Sequence, residues 1–300
     1  MFKKIVNMAL FFSLALPGLS YANDNSNLSR EQQEQYVITN YGISPEFAKD
    51  LKESDLKKFV SQKPVQSTNK EEYFRIESTT ANNSLRSTDA VAKPVVTKIS
   101  KEQALAEVEE DNENSEISTL GNSNSKTTTV SWLKLETNMT YYKTSGAVSV
   151  YATWLKTANY TKLDILAIGL SENVAPKNGT ASFSHKLDWY NPIDSTWSVM
   201  NGPGANISYH PGGASAKFNL ATPSVQAYKN ERAYLSLTVV PREGGSWKAL
   251  SYYDTLGYYR HQETIFTVSP SISIPKGGSL GLSSADSFAD VDSFAQIQYK

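Results

Sequence analysis

Beyond residue 126 the apolar positions fall into a period of two. Val148, Val150, Ala152 and Trp154 alternate with Ser149, Tyr151, Thr153 and Leu155, the pattern of a half-buried strand. The segment Lys162 to Leu170 differs, because Leu163, Ile165 and Ala167 line one face and Leu166, Ile168 and Leu170 the other. A strand apolar on both faces belongs in the middle of a sheet. Asp164 is the odd residue in it, and its expected place is the solvent end of the strand, since an unpaired buried carboxylate is costly. Further strands are expected at 181–187, 214–220, 233–240, 249–253, 258–267, 271–274 and 294–299, separated by Gly, Pro and Asn corners such as Asn178-Gly179 and Pro211-Gly212-Gly213. Many short strands without βαβ alternation predict a mainly β protein whose residues 126–300 form a β-sandwich of roughly eight to ten strands, with a barrel as the alternative.

The first 125 residues read differently. Met1 to Ala22 carries Lys3 and Lys4, an apolar run from Ile5 to Leu19 and the small-x-small ending Ser20-Tyr21-Ala22, which predicts a signal peptide over 1–22 cleaved after Ala22. Residues 23–62 predict a small helical hairpin. Ser29 with Gln32 is a capping-box pattern, Asn40-Tyr41-Gly42 stops that helix, Ser44-Pro45 starts the next, and Ser54 starts a third piece with Leu56, Phe59 and Val60. So few residues cannot build a stable core alone, so the hairpin is expected to pack on the β-domain. Residues 63–125 predict a polar, flexible linker in which only Tyr73-Phe74-Arg75-Ile76 resembles a strand, with one short helix near 100–110, ending in a run of carboxylates whose plain reading is a solvated face.

Composition narrows the location and the partners. The chain has no cysteine, so it can form neither a disulfide nor a lipidated N-terminal cysteine, and no later run reaches the roughly 18 apolar residues of a bilayer span. The expectation is a secreted, extracellular protein, bacterial by its redox chemistry, without a stable transmembrane segment. A net charge of −1 and a pI of 6.3 exclude the basic footprint of a nucleic-acid binder. The stretch Trp154-Leu155-Lys156 followed by Leu163-Asp164-Ile165-Leu166-Ala167-Ile168, with the Tyr41 to Ser44 corner and the layout of signal peptide, helical hairpin, polar linker and Trp-bearing β-domain, resembles a loosely defined group of uncharacterised secreted proteins from Gram-positive bacteria. That resemblance implies location and architecture and no activity.

No catalytic set stands out. Gly277-Gly278-Ser279-Leu280-Gly281 matches the nucleophile-elbow string, but His185, His210 and His261 all precede Ser279, and a Gly-rich β-turn explains it. The three histidines lack zinc-ligand spacing, and Asp286, Asp290 and Asp292 fit a polar loop as well as a calcium site, so no metal and no cofactor is expected. The aromatics are the candidate binding residues. Tyr252-Tyr253 and Tyr258-Tyr259 flank Asp254-Thr255-Leu256-Gly257, a candidate hairpin turn, and adjacent strand residues should point one ring inward and one outward. Trp189 and Trp197 around Asn191-Pro192 suggest a second loop platform. The leading expectation is a non-enzymatic binding or surface-interaction protein that contacts carbohydrate, cell envelope or protein through aromatic hairpins. A β-pore-forming protein, suggested by the Ser/Thr alternation of Thr144 to Thr153, and a hydrolase with a dispersed site are the alternatives.

Overall fold

A computed structural model describes residues 28–80, 93–115, 127–156, 158, 163–221, 227–242, 245–247, 250–262, 270–283 and 288–298; the expected signal peptide lies outside them. Three helices come first, α1 (Arg30–Tyr41), α2 (Pro45–Asp50) and α3 (Glu53–Val60), then β1 (Gln66–Thr80), β2 (Val95–Ile99) and α4 (Lys101–Ser115). Strands alone follow: β3 (Thr127–Tyr142), β4 (Ser145–Trp154), β5 (Leu163–Leu170), β6 (Val174–Pro176), β7 (Ser182–Asn191), β8 (Thr196–Asn201), β9 (Asn206–His210), β10 (Gly213–Asn219), β11 (Tyr228–Pro241), β12 (Tyr252–Gln262), β13 (Ile272–Ser273), β14 (Gly281–Leu282) and β15 (Phe288–Gln298).

These strands build two open antiparallel sheets. One has eight strands in the order β2-β1-β3-β4-β11-β7-β8, with β6 also paired to β11; the other has five, β15-β12-β5-β10-β9. Their inner faces share one core, in which Leu133, Val150, Trp154 and Leu235 of the larger sheet meet Leu166, Ile168, Ala216 and Val291 of the smaller. The fold is a mainly β sandwich, and both sheets keep free edges, so it is not a barrel. As its two-faced apolar pattern requires, β5 is the central strand of the smaller sheet: Leu166, Ile168 and Leu170 enter the main core, while Ile165 and Ala167 pack under Ile274 and Phe288 on the other side. At Gly169 an added Cβ would stand 2.0 Å from the Gly278 carbonyl oxygen, so the 277–280 turn lies directly on the strand. Gly277 and Gly278 hold φ of 93° and 81°, which suits the glycine-rich turn expected there.

The outer face of the larger sheet is roofed. Phe47 stacks on Tyr151 at 4.7 Å and 3° and packs against Tyr234, and the Tyr41 hydroxyl region meets Tyr142. Asp50 accepts from the Tyr151 hydroxyl at 2.7 Å and pairs with Arg232 and Lys186, while Asp55 accepts from Ser182 and Tyr234. The helical hairpin therefore packs on the sheet through α1 to α3. The caps of α1 and α2 form as the sequence predicts, with the Ser29/Gln32 box and Ser44 ahead of Pro45, whereas α3 starts not at Ser54 but at Glu53, with Lys52 at its N-cap and no side-chain cap bond. Farther along the same face α4 covers Tyr73 and Trp132.

Three further sequence expectations need correction. Gln66–Thr80, expected within a flexible linker, is a strand paired along its length with β3, from Gln66 opposite Tyr141 to Thr80 opposite Thr127. Its polar residues suit it because Glu72 pairs with Lys98, Glu71 with Lys101 and Lys134, and Ser67 with Thr140. Asp254-Thr255-Leu256-Gly257 is no turn; it lies inside β12, which pairs without a break with β15. Asp164 is fully buried with partners, where solvent was expected. It accepts from His261 Nδ1 at 2.7 Å and from the Tyr259 hydroxyl.

Candidate interaction surface

The six tyrosine and tryptophan candidates part company in the structure. Tyr253 is buried and donates to the Thr140 carbonyl at 2.7 Å; Tyr258 is buried and donates to Gly278 O at 2.8 Å. Tyr259 is buried as well: the two rings do alternate, Tyr259 into the main core and Tyr258 to the other side, but neither is exposed. The reason is that both faces of β12 are covered, one by the main core and the other by the 272–282 segment. Of the four, Tyr252 alone is exposed, at the start of the strand. Trp189 and Trp197 do not form one platform either. Trp189 is half-buried and stands opposite Ser198, whereas Trp197 stands opposite Tyr190, so the two indoles occupy opposite faces of the β7–β8 hairpin.

The polar clusters are structural. Trp154 Nε1 donates to the Tyr259 hydroxyl at 2.8 Å, Tyr259 donates to Asp164, and His261 donates to the same carboxylate, tying β4 of one sheet to β5 and β12 of the other. Burial beside Asp164 pushes the Tyr259 phenol well above its ordinary range, so it acts as a donor. His185 lies between the Glu231 carboxylate at 2.8 Å and the Pro203 carbonyl at 3.1 Å, again buried. His210 meets the Ser215 hydroxyl at 2.9 Å. Each histidine thus has a separate partner. No group of three His, Asp or Glu side chains among the described residues is placed to hold a metal. Asp290 and Asp292 pair with Arg260, and Asp286 lies outside the described residues. β4, which contains most of the segment suggested for membrane insertion, sits between β3 and β11 under the helices. No helix among the described residues is long and apolar enough to cross a membrane.

One surface remains. Ten large apolar side chains stand exposed among the described residues, and five of them, Ile193, Trp197, Val199, Met200 and Ile207, fall within the stretch from the β7–β8 turn to β9. Every residue of β8 is exposed, because it is the last strand of its sheet and extends past the helical roof. The turn is tightly built. Asn191 Oδ1 accepts from Ile193 N, Asp194 Oδ1 accepts from both the amide and hydroxyl of Thr196, and Ser195 takes φ 56°. That geometry holds Ile193 out at 93% exposure. Behind it Trp197 packs on Tyr190 at 5.2 Å, with Lys229 Nζ 3.9 Å above the indole. Met200 and Ile207 sit on the adjoining edge strands β8 and β9 of the two sheets. Trp197 was legible as a candidate; Ile193, Val199, Met200 and Ile207 carry no signal in sequence that separates them from core positions.

No protein-family model and no curated protein matches the chain. Among solved structures it is similar to ACE19, the collagen-binding subdomain of the Enterococcus faecalis surface protein ACE, at 9% identity over 51% of this chain and 88% of that one, with a TM-score of 0.29. It is also similar to the pilus backbone RrgB of Streptococcus pneumoniae, at 7% identity over 52% of this chain and 40% of that one, with a TM-score of 0.26. The T6 backbone pilin of Streptococcus pyogenes gives 8% identity over 78% of this chain and 64% of that one, with a TM-score of 0.28. Likenesses this distant leave the function to be read from the surface itself.

Proposed function

We propose that this chain is an extracellular, non-enzymatic surface-interaction protein that binds a protein partner through the β7–β8 hairpin and the neighbouring edge of β9. The carrying observation is the concentration of exposed apolar side chains there, with a rigid turn that presents Ile193 and an aromatic pair beside it. Trp197 and Val199 share one face of the hairpin and Met200 takes the other, so the cluster makes an apolar edge, of a kind that soluble proteins rarely expose without a use for it. A protein partner fits better than a sugar, because four of the five side chains are aliphatic or thioether and the tryptophan is the one ring among them. The buried state of His185, His261 and Asp164 weighs against a hydrolytic site built on them.

Binding of the full chain to a panel of purified extracellular and cell-envelope proteins, with a glycan array in parallel, tests this. Ile193→Ser and Trp197→Ser should each weaken any protein interaction found by about tenfold or more, as truncation of central anchors does, while Tyr252→Ala should leave it intact. An interaction that both hairpin variants retain at parental affinity would refute the reading.

A further inference from the structure

We infer that the partner of the β7–β8 edge is a second copy of this chain, bound by antiparallel pairing of β8 with β8 about a two-fold axis at Ser198. The inference rests on the interaction reading above and names its partner.

Edge strands carry unpaired backbone groups, and proteins that stay monomeric blunt them with charge, proline or cover. The other edges here are blunted. β2 carries Lys98, β15 carries Asp290 and Asp292, and β9 is bracketed by Pro203 and Pro211. β8 reads Thr-Trp-Ser-Val-Met-Asn, with no charge and no proline, and it is exposed throughout.

The backbone sets which groups are free. Gly202 N donates to His185 O at 2.9 Å, opposite it in the ladder, so by alternation Met200, Ser198 and Thr196 direct their amides and carbonyls to β7. Trp197, Val199 and Asn201 direct theirs to the open side. A two-fold axis normal to the sheet pairs residues of like parity. Centred on Ser198, it sets Trp197 opposite the copy's Val199 and Val199 opposite the copy's Trp197. Both pairs use free backbone groups, so each can exchange both hydrogen bonds. Each is an aromatic against a β-branched side chain, a favourable cross-strand combination.

The charges do not oppose this register. Lys229 lies over Trp197, and Asp188 stands opposite Val199 on β7. Asp188 already accepts from Arg232 at 2.8 Å and from Asn230 at 2.7 Å within its own copy, so it meets Lys229 of the other copy only as a background charge two strands away. The uncharged strands add no repulsion. Such pairing would extend the eight-stranded sheet across the axis and cover Trp197 and Val199 of both copies.

The chain contains no cysteine, so one introduced thiol reports the register without background. Ser198 would face its own copy as a non-hydrogen-bonded pair with Cα atoms about 4.5 Å apart, within disulfide reach. Under mild oxidation Ser198→Cys should give a covalent dimer and Val199→Cys should not. In sedimentation, the wild type should dimerise, and Ser198→Lys and Ser198→Glu should each weaken dimerisation by about tenfold or more, because like charges then oppose each other at the axis. An equimolar mixture of the two variants should restore it. These exposed positions leave folding intact, which circular dichroism checks. A wild type that stays monomeric to its solubility limit, with no cross-link at Ser198→Cys, overturns the inference, and cross-linking at Val199→Cys in place of Ser198→Cys overturns the register. If the wild type is monomeric yet Trp197→Ser still abolishes binding to a panel protein, the self-pairing falls and the interaction reading survives.

Discussion

Replacing Asp164 by Ala is the sharpest test of how the two sheets are joined. The carboxylate is fully buried and takes the Tyr259 hydroxyl proton and His261 Nδ1–H, the latter at 2.7 Å. In the alanine variant neither donor finds an acceptor in Asp164. The Tyr259 oxygen still receives Trp154 Nε1 at 2.8 Å, but its proton points at the space the carboxylate left. An orphaned buried donor costs about 1–3 kcal/mol, so two give about 2–6 kcal/mol. A mid-range loss of about 4 kcal/mol lowers Tm by about 8–16 °C for a fold of this size. Thermal melts followed by near-UV dichroism, with urea titrations at unchanged m, measure it. A double-mutant cycle with His261→Ala should return a coupling of about 1–3 kcal/mol, because once the imidazole is gone the carboxylate has less to satisfy. A Tm within about 2 °C of the parent, or strictly additive losses, would refute the assignment of this network as the joint between the sheets.

Other sites give independent checks. Asp50→Ala should cost about 2–3 kcal/mol by removing the acceptor of Tyr151 and the partner of Arg232 and Lys186, and limited proteolysis should then cut the α1–α3 segment first. Glu136 is buried and its carboxyl is held above the ordinary range mainly by desolvation. The native state therefore keeps this proton longer than the unfolded chain, its contribution is full below the ordinary glutamate range, and stability falls as pH rises from that range through the raised pKa. Glu136→Gln should flatten that part of the stability profile; a profile as steep as the parent's in denaturant titrations across pH would count against it. Gly169→Ala should lower stability by about 2 kcal/mol or more, since the new methyl meets a backbone carbonyl at 2.0 Å, and a melt matching the wild type would show that the 277–280 turn can move aside.

The sequence revealed what is periodic and concealed what depends on distant cover. β5 was legible as a central strand because both of its faces are apolar, and α1 and α2 because their caps are local. β1 was legible only at Tyr73 to Ile76, since its other, polar residues make sense only beside β3, whose paired positions lie far along the chain. The tyrosine doublets failed as a guide for a related reason. Alternation tells which way a side chain points and not whether something lies there, and at Tyr258 the turn at Gly278 does. Asp164 was misplaced because its partners Tyr259 and His261 come from a strand nearly a hundred residues later. The interaction surface was half legible: Trp197 stands out by residue type, but exposure at Val199 and Met200 follows from β8 being last in its sheet.

The helical roof sets an order of events in time. Its residues leave the ribosome well before the strands it rests on; the Lys52 amide and the Tyr234 hydroxyl it meets are 182 positions apart. At about 5–20 residues per second that interval is roughly 10–40 s, during which Phe47, Leu51 and Leu56 have no sheet to cover. These helices thus wait for β11 before they find their place. Whatever shields nascent apolar surface acts on this segment throughout that wait.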